Sequence, residues 1–263
     1  AEDMPLWIVP DRKLSVHDVE MCMRDHYEGT ALALDSTNVG GGVYQMPYRP
    51  TPLTYKVDGK EYFNERPVST QQTAFTFVSQ LRSWLPNEIG GILWFGNDDA
   101  NMVAYTPVYC GNTVQPECYN TPGADAVTYS DKNAFWVCNW VSNMVYPRYS
   151  QLFPELKAVR DSLDMSYFAA QKEIEAKAQV LYASSKAEAV KYLNTYSNDK
   201  AQQMLAAWHD LGRLLIVKYN DMAVKKTKDG KLTRSVTRPG YPASFAKKLV
   251  KETGDWYAVP EKK

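Results

Sequence analysis

Between Pro154 and Gly212 the chain holds neither Gly nor Pro, the two residues that most readily end a helix. Within that stretch apolar residues return at helical spacing, first as Leu156, Val159 and Leu163, then as Ile174, Ala178 and Leu181. A further helix is predicted from about Asp199 to Met222, capped by Ser197-Asn198-Asp199. Its apolar side carries Met204, Leu205, Trp208, Leu211, Leu215 and Ile216. Such a stretch points to two or three long helices packed as an antiparallel hairpin.

The first part of the chain reads differently. Leu6-Trp7-Ile8-Val9 is a short strand or an extended lead-in closed by Pro10. Ser15 caps a helix predicted from Val16 to Tyr27, which Gly29 ends. A long loop follows from Asp35 to Pro52, with Gly40-Gly41-Gly42 inside it. Asp58-Gly59 turns a hairpin between Leu53–Val57 and Lys60–Asn64. Ser69 or Thr70 is then expected to cap a helix with Phe75, Val78, Leu81 and Leu85 as its apolar stripe, stopped by Pro86. Ile89 to Gly96 suits a central strand, with Met102–Pro107 as its antiparallel partner and Asn97–Asn101 as the turn. Beyond the long helices, Asp229-Gly230 turns a small hairpin from Lys225 to Ser235, and Phe245–Lys251 forms a last short helix. The reading divides the chain into a sheet-and-helix part, residues 1–149, and a mainly helical part, residues 150–263. The fold class is α+β.

Thirty basic residues balance thirty acidic ones, which excludes a broad field for steering nucleic acid. Mean hydropathy is −0.44, and no apolar run approaches the ~20 residues that span a bilayer. Ala1-Glu2-Asp3-Met4 carries no signal-peptide pattern: either a leader is removed or Ala1 is not the natural start.

Cys22 and Cys138 read as core thiols. Cys110 and Cys118 bracket a turn-rich loop and read as a disulfide, which implies an oxidising compartment. Two free loop thiols are the alternative. His17, His26 and His209 stand too far apart for a zinc motif and read as surface or satisfied histidines. Asp98-Asp99 reads as an ordinary turn, because adjacent carboxylates point in different directions. The segment Arg66-Pro67-Val68-Ser69-Thr70-Gln71-Gln72-Thr73 is placed at a helix N-terminus, where free N–H groups attract a carboxylate; a simple cap with solvated neighbours is the alternative.

The run from Arg66 through Thr73 to Pro86 resembles the second half of the dipeptidase A family, relatives of the secernins. So do Gly90-Gly91-Ile92-Leu93-Trp94-Phe95-Gly96 and Tyr105-Thr106-Pro107-Val108-Tyr109-Cys110-Gly111. Pro10–Ser15 and Arg24–Thr30 are similar to gut Bacteroidetes members of that family. Ala134-Phe135-Trp136 and the helical tail follow more weakly.

The resemblance implies the C-terminal part of an N-terminal-nucleophile αββα sandwich, followed by the long-helix hairpin. It implies hydrolysis of dipeptides by an N-terminal cysteine, with no metal and no cofactor. Residue 1 here is Ala and Cys22 is internal, so this chain holds no catalytic residue of its own. The expected partners are an N-terminal portion carrying the nucleophile, the dipeptide substrate and a homo-oligomer, with neither nucleic acid nor a membrane span. The expected location is periplasmic or extracellular. Arg66, Ser69, Thr70, Gln71 and Thr73 are the substrate-binding candidates. Two other readings stand beside this one. One is a secreted module binding glycans or peptides through its seven Trp and eighteen Tyr. The other is an independent hydrolase using Asp98 or Asp99.

Overall fold

In the computed structural model, residues 5–35, 42–48, 54–63 and 66–260 are described. Gly40, Gly41, Pro50, Pro52, Leu53 and Asn64 of the expected loop and hairpin lie outside them. Leu6–Val9 form no strand and are exposed.

Helix α1 (Val16–Met23) starts where Ser15 and Asp18 form a reciprocal capping box. It ends at Arg24, earlier than expected, and Tyr27 has φ 65°. Cys22, expected in the core, is exposed because α1 turns Val16, Val19 and Met23 inward instead. Strands β1 (Thr54–Val57) and β2 (Lys60–Phe63) form the predicted Asp-Gly hairpin.

The expected helix after Ser69 is a strand, β3 (Phe75–Leu81). Its residues alternate: Phe75, Phe77, Ser79 and Leu81 face out, while Thr76, Val78 and Gln80 face in. Phe75, Val78 and Leu81 fit a helical stripe by spacing alone, but Phe77 and the inward Thr76 fit only period two. Pro86 does not stop a helix; it precedes the single turn α2 (Asn87–Gly90). Strand β4 (Gly91–Asn97) then runs antiparallel to β3, and β5 (Thr106–Tyr109) antiparallel to β4. The sheet order is β3-β4-β5.

Helix α3 (Ala134–Val145) is capped by Asn133. Helices α4 (Tyr149–Ser184) and α5 (Lys186–Tyr219) form the expected hairpin, broken only at Ser185, whose side chain caps α5. The break was expected near Ser197–Asp199. There the helix runs straight through, because those side chains bond outward: Ser197 Oγ accepts from Tyr109 N at 3.4 Å and Asn198 Oδ1 from Glu117 N at 3.0 Å. Met204, Leu205, Trp208, Leu211 and Leu215 are buried as expected, but Ile216 is exposed. Strands β6 (Val224–Lys228) and β7 (Lys231–Thr237) and helix α6 (Ala243–Thr253) close the chain.

The core lies between one face of the β3-β4-β5 sheet and helices α3, α4 and α5. Trp94, Ile92, Val141, Leu156, Tyr167 and Trp208 are fully buried there. Trp94 packs on Phe168 of α4 with ring centroids 4.8 Å apart. The other face of the sheet carries Phe75, Phe77 and Leu81, with Leu93, Phe95 and Val108 only partly covered. Phe75 stacks on Phe77 and on Phe95. Tyr119 covers one end of this face by packing edge-on against Phe95.

The four cysteines are free. Thr113 and Glu117 donate backbone N–H groups to Asn194 and Asn198 of α5, which ties the loop down onto the helix. Cys118 is thereby turned into the core while Cys110 stays exposed at the end of β5. The expected bridge, and the oxidising compartment argued from it, are not supported. Among the described residues, no helix is long and apolar enough to cross a membrane.

Candidate functional site

The segment before β3 enters the fold without a helix N-terminus, so the expected carboxylate site of free N–H groups is not formed. What it does instead centres on one residue. Ser69 is buried and donates its hydroxyl to Asp99 Oδ1. It also accepts from Asn101 N at 3.0 Å, and its own N–H donates to Asp25 O at 3.1 Å. Thr70 Oγ1 donates to Gln72 Oε1 at 2.5 Å and lies 3.2 Å from Gln71 Oε1, and Thr73 N closes a turn onto Thr70 O at 3.1 Å. Arg66 is exposed, and its carbonyl accepts from Tyr27 at 2.8 Å. Of the five predicted site residues, Ser69 is bonded into a buried polar cluster.

The centre of that cluster is the pair Asp98-Asp99, which the sequence alone presents as an ordinary turn. Both are completely buried. The available signal was their setting: two consecutive acids directly between an apolar strand and a second apolar run, with little room to reach solvent. Asp98 has φ 87°, and its N–H donates to Ala74 O at 2.8 Å, which holds the end of β4 against the start of β3. Asn139 of α3 donates to Asp98 Oδ1 at 3.3 Å. Burial, with the Asp99 charge adding, lifts the Asp98 carboxyl to about 7. Asp99 accepts from Ser69, from Asn101 N at 3.2 Å and from Tyr146 at 3.3 Å. Burial and the two aspartates push the Tyr146 phenol far above its ordinary range, so it stays a donor.

Further side chains hold these groups in place. Asn101 donates to Tyr149 at 2.9 Å, and Arg160 donates to Asn101 O and Oδ1 at 2.7 and 2.8 Å. Arg24 donates to Ala100 O at 3.1 Å, to Val103 O at 3.0 Å and to Asp164 at 2.8 Å. The turn after β4 is thus held from α1, α3 and α4 together. A buried turn bonded from several elements rigidifies whatever lies at its end of the sheet, although Asp98 Oδ2 and Arg24 Nη1 are buried without a hydrogen-bond partner.

On the open face, at that same end, lies a cavity of about 350 Å³. Aromatic side chains from Phe75, Tyr119, Phe135 and Trp136 wall it, with Asn97 and Asn133 as amide groups. Trp136 is held by donating its indole N–H to Asp125 O at 3.0 Å. Asp125 adds an acidic residue to the lining, so the cavity joins apolar walls to a few polar groups, the usual make-up of a small-ligand pocket.

The histidines do not make a base for this site. His17 lies 3.8 Å from Glu20, buried His26 lies 3.0 Å from Glu28, and His209 bonds Asp131 O at 2.7 Å. Among the described residues, no hydrogen bond joins a histidine to a Ser or Cys side chain, and no three His, Cys, Asp or Glu side chains converge as metal ligands.

Comparison with known proteins agrees with the dipeptidase resemblance. A probable dipeptidase B of Streptococcus pyogenes serotype M1 is 24% identical over 199 residues, covering 73% of this chain and 36% of the relative. A probable dipeptidase of Latilactobacillus sakei is 22% identical over 223 residues, 82% of this chain and 42% of the relative. A probable dipeptidase B of Lactococcus lactis subsp. lactis (strain IL1403) is 21% identical over 227 residues, 85% and 42%. The chain thus spans well under half the length of these curated relatives. Its residues 1–162 match the profile of Peptidase family C69, which is more than half of the chain. The chain belongs to peptidase family C69.

Proposed function

We propose that this chain is the C-terminal portion of a cysteine dipeptidase whose nucleophile comes from an N-terminal portion. The observation that carries the reading is the open apolar face of the β3-β4-β5 sheet. A sheet buries both faces when a second layer is available, and Phe75, Phe77 and Leu81 stand exposed where such a layer belongs. A second sheet stacked there, ~10 Å away, completes an αββα sandwich of the N-terminal-nucleophile kind. The helices α3–α5 already form the outer layer on the other side.

In this reading the cysteine thiol of the N-terminal portion attacks the dipeptide carbonyl, and its free α-amine carries the proton. The tetrahedral intermediate expels the amine product, and water then hydrolyses the thioester. This chain's share is positional. Phe75, Phe135 and Trp136 wall the cleft, and the Ser69–Asp99 network holds the strand end rigid beneath it. Arg66, Thr70, Gln71 and Thr73 lead directly into Phe75, and that adjacency supports them as contacts along the same wall. The location outside the cytoplasm rests on the family resemblance alone, and cell fractionation tests it.

Reconstitution tests the assembly. The chain is mixed with an N-terminal portion that begins at cysteine, and complex formation is read by size-exclusion chromatography. We expect a stoichiometric complex that forms with the native chain and is lost in Phe77→Asp. A complex unaffected by Phe77→Asp, or none at all, contradicts the reading.

A further inference from the structure

We propose that the C-terminal hairpin and helix α6 form a peripheral docking surface for an anionic lipid bilayer. The chain as a whole carries no net charge, yet residues 223–260 hold nine basic side chains against three acidic ones. The charge is therefore segregated, with the excess of cations confined to the tail. Within α6, one side of the helix presents Phe245, Leu249 and Val250, and the opposite side presents Lys247, Lys248 and Lys251. No residue of α6 is buried; Leu249 and Val250 stay exposed although an apolar stripe normally faces a core. The turn after the helix adds Trp256 and Tyr257, 83% and 74% exposed, followed by Val259.

An exposed apolar stripe, a lysine-rich opposite face and an adjoining Trp-Tyr pair are the composition of a helix that lies in a membrane interface. The apolar side sinks to the acyl boundary, the lysine stems reach back to the headgroups, and the amphipathic rings sit between. Arg234 of β7 and Arg238 just after it are exposed on the same tail and extend the cationic surface. The hairpin is attached to the body through β6, where Lys225 donates to Val217 O and Asn220 at 2.5 Å. Charge complementarity selects the occupant: a bilayer with anionic headgroups satisfies the cations and the apolar stripe at once.

The test is co-sedimentation of the intact chain with phosphatidylcholine vesicles and with mixed phosphatidylglycerol–phosphatidylcholine vesicles. We expect binding to the mixed vesicles only, weakening as salt rises. Replacing Lys247, Lys248 and Lys251 by Gln should weaken it by about fivefold per charge removed. Leu249→Glu with Trp256→Ser should abolish binding while circular dichroism stays unchanged, since these side chains are exposed. No binding to either vesicle, or equal binding to both, overturns the proposal. So does salt-sensitive self-association in sedimentation velocity that the lysine replacements abolish, which would assign the surface to a second copy of the chain.

Discussion

Ser69 and Asp99, thirty residues apart in sequence, meet in a buried hydrogen bond that joins the lead-in of β3 to the turn after β4. The bond makes the end of the sheet a single unit, and Asn101 shares both partners. Ser69→Ala removes a donor from Asp99 and an acceptor from Asn101 N without leaving space for bulk water. We expect a loss of about 1–3 kcal/mol in denaturant unfolding. A change within error shows that the contact does not hold the site.

The ion pair of Arg24 and Asp164 is equally buried, each side chain 1% exposed. Asp164 also accepts from Tyr105 N, and Arg160 lies close enough to feel its charge. Asp164→Asn leaves the Arg24 guanidinium buried without its counter-charge. The expected loss is about 3–5 kcal/mol, larger than for Ser69→Ala, in the same unfolding measurement.

Two buried carboxyls set a pH dependence. Burial raises Asp98 to about 7 and Glu20 to about 8; for Glu20 the Asp164 charge adds to the effect. Unfolded, both groups titrate near ordinary values of about 4. Between that range and their folded values, the folded protein holds more protons than the unfolded chain. Stability therefore falls as pH rises through this window. Asp98→Asn and Glu20→Gln should each flatten the fall, as read from unfolding midpoints between acid and neutral pH. An undiminished slope in both variants refutes the assignment.

Thiol counting decides the cysteine chemistry. Denatured, unreduced protein should titrate four thiols per chain, matching the four free cysteines. Cys118 in the folded state should react slowly, since burial lifts its thiol to about 12, while exposed Cys110 and Cys22 react first. A count of two would restore the bridge between Cys110 and Cys118.

Much of the fold is written in local patterns. The Gly- and Pro-free stretch after Pro154 dictates the α4–α5 hairpin, and Asp58-Gly59 and Asp229-Gly230 turn both small hairpins as their chemistry requires. The errors have one origin. Phe75, Val78 and Leu81 satisfy helical spacing while the surrounding sheet, which no local window contains, selects a strand. The misplaced helix then carried the predicted carboxylate site with it. Asp98-Asp99 was undervalued for the same reason, because its burial depends on Ser69, Asn139 and Tyr146 arriving from distant segments. Ser197–Asp199 look like a cap until the loop at Tyr109–Glu117 claims their side chains. The family-level reading did not depend on any of these assignments.

Dipeptide hydrolysis measured side by side on three samples tests the central claim most directly: this chain alone, the chain assembled with the proposed N-terminal portion, and the same assembly with that portion's first cysteine replaced by serine. The account predicts turnover only in the second sample, abolished by a thiol alkylating agent. Turnover by the chain alone, or turnover that survives the cysteine replacement undiminished, would contradict it.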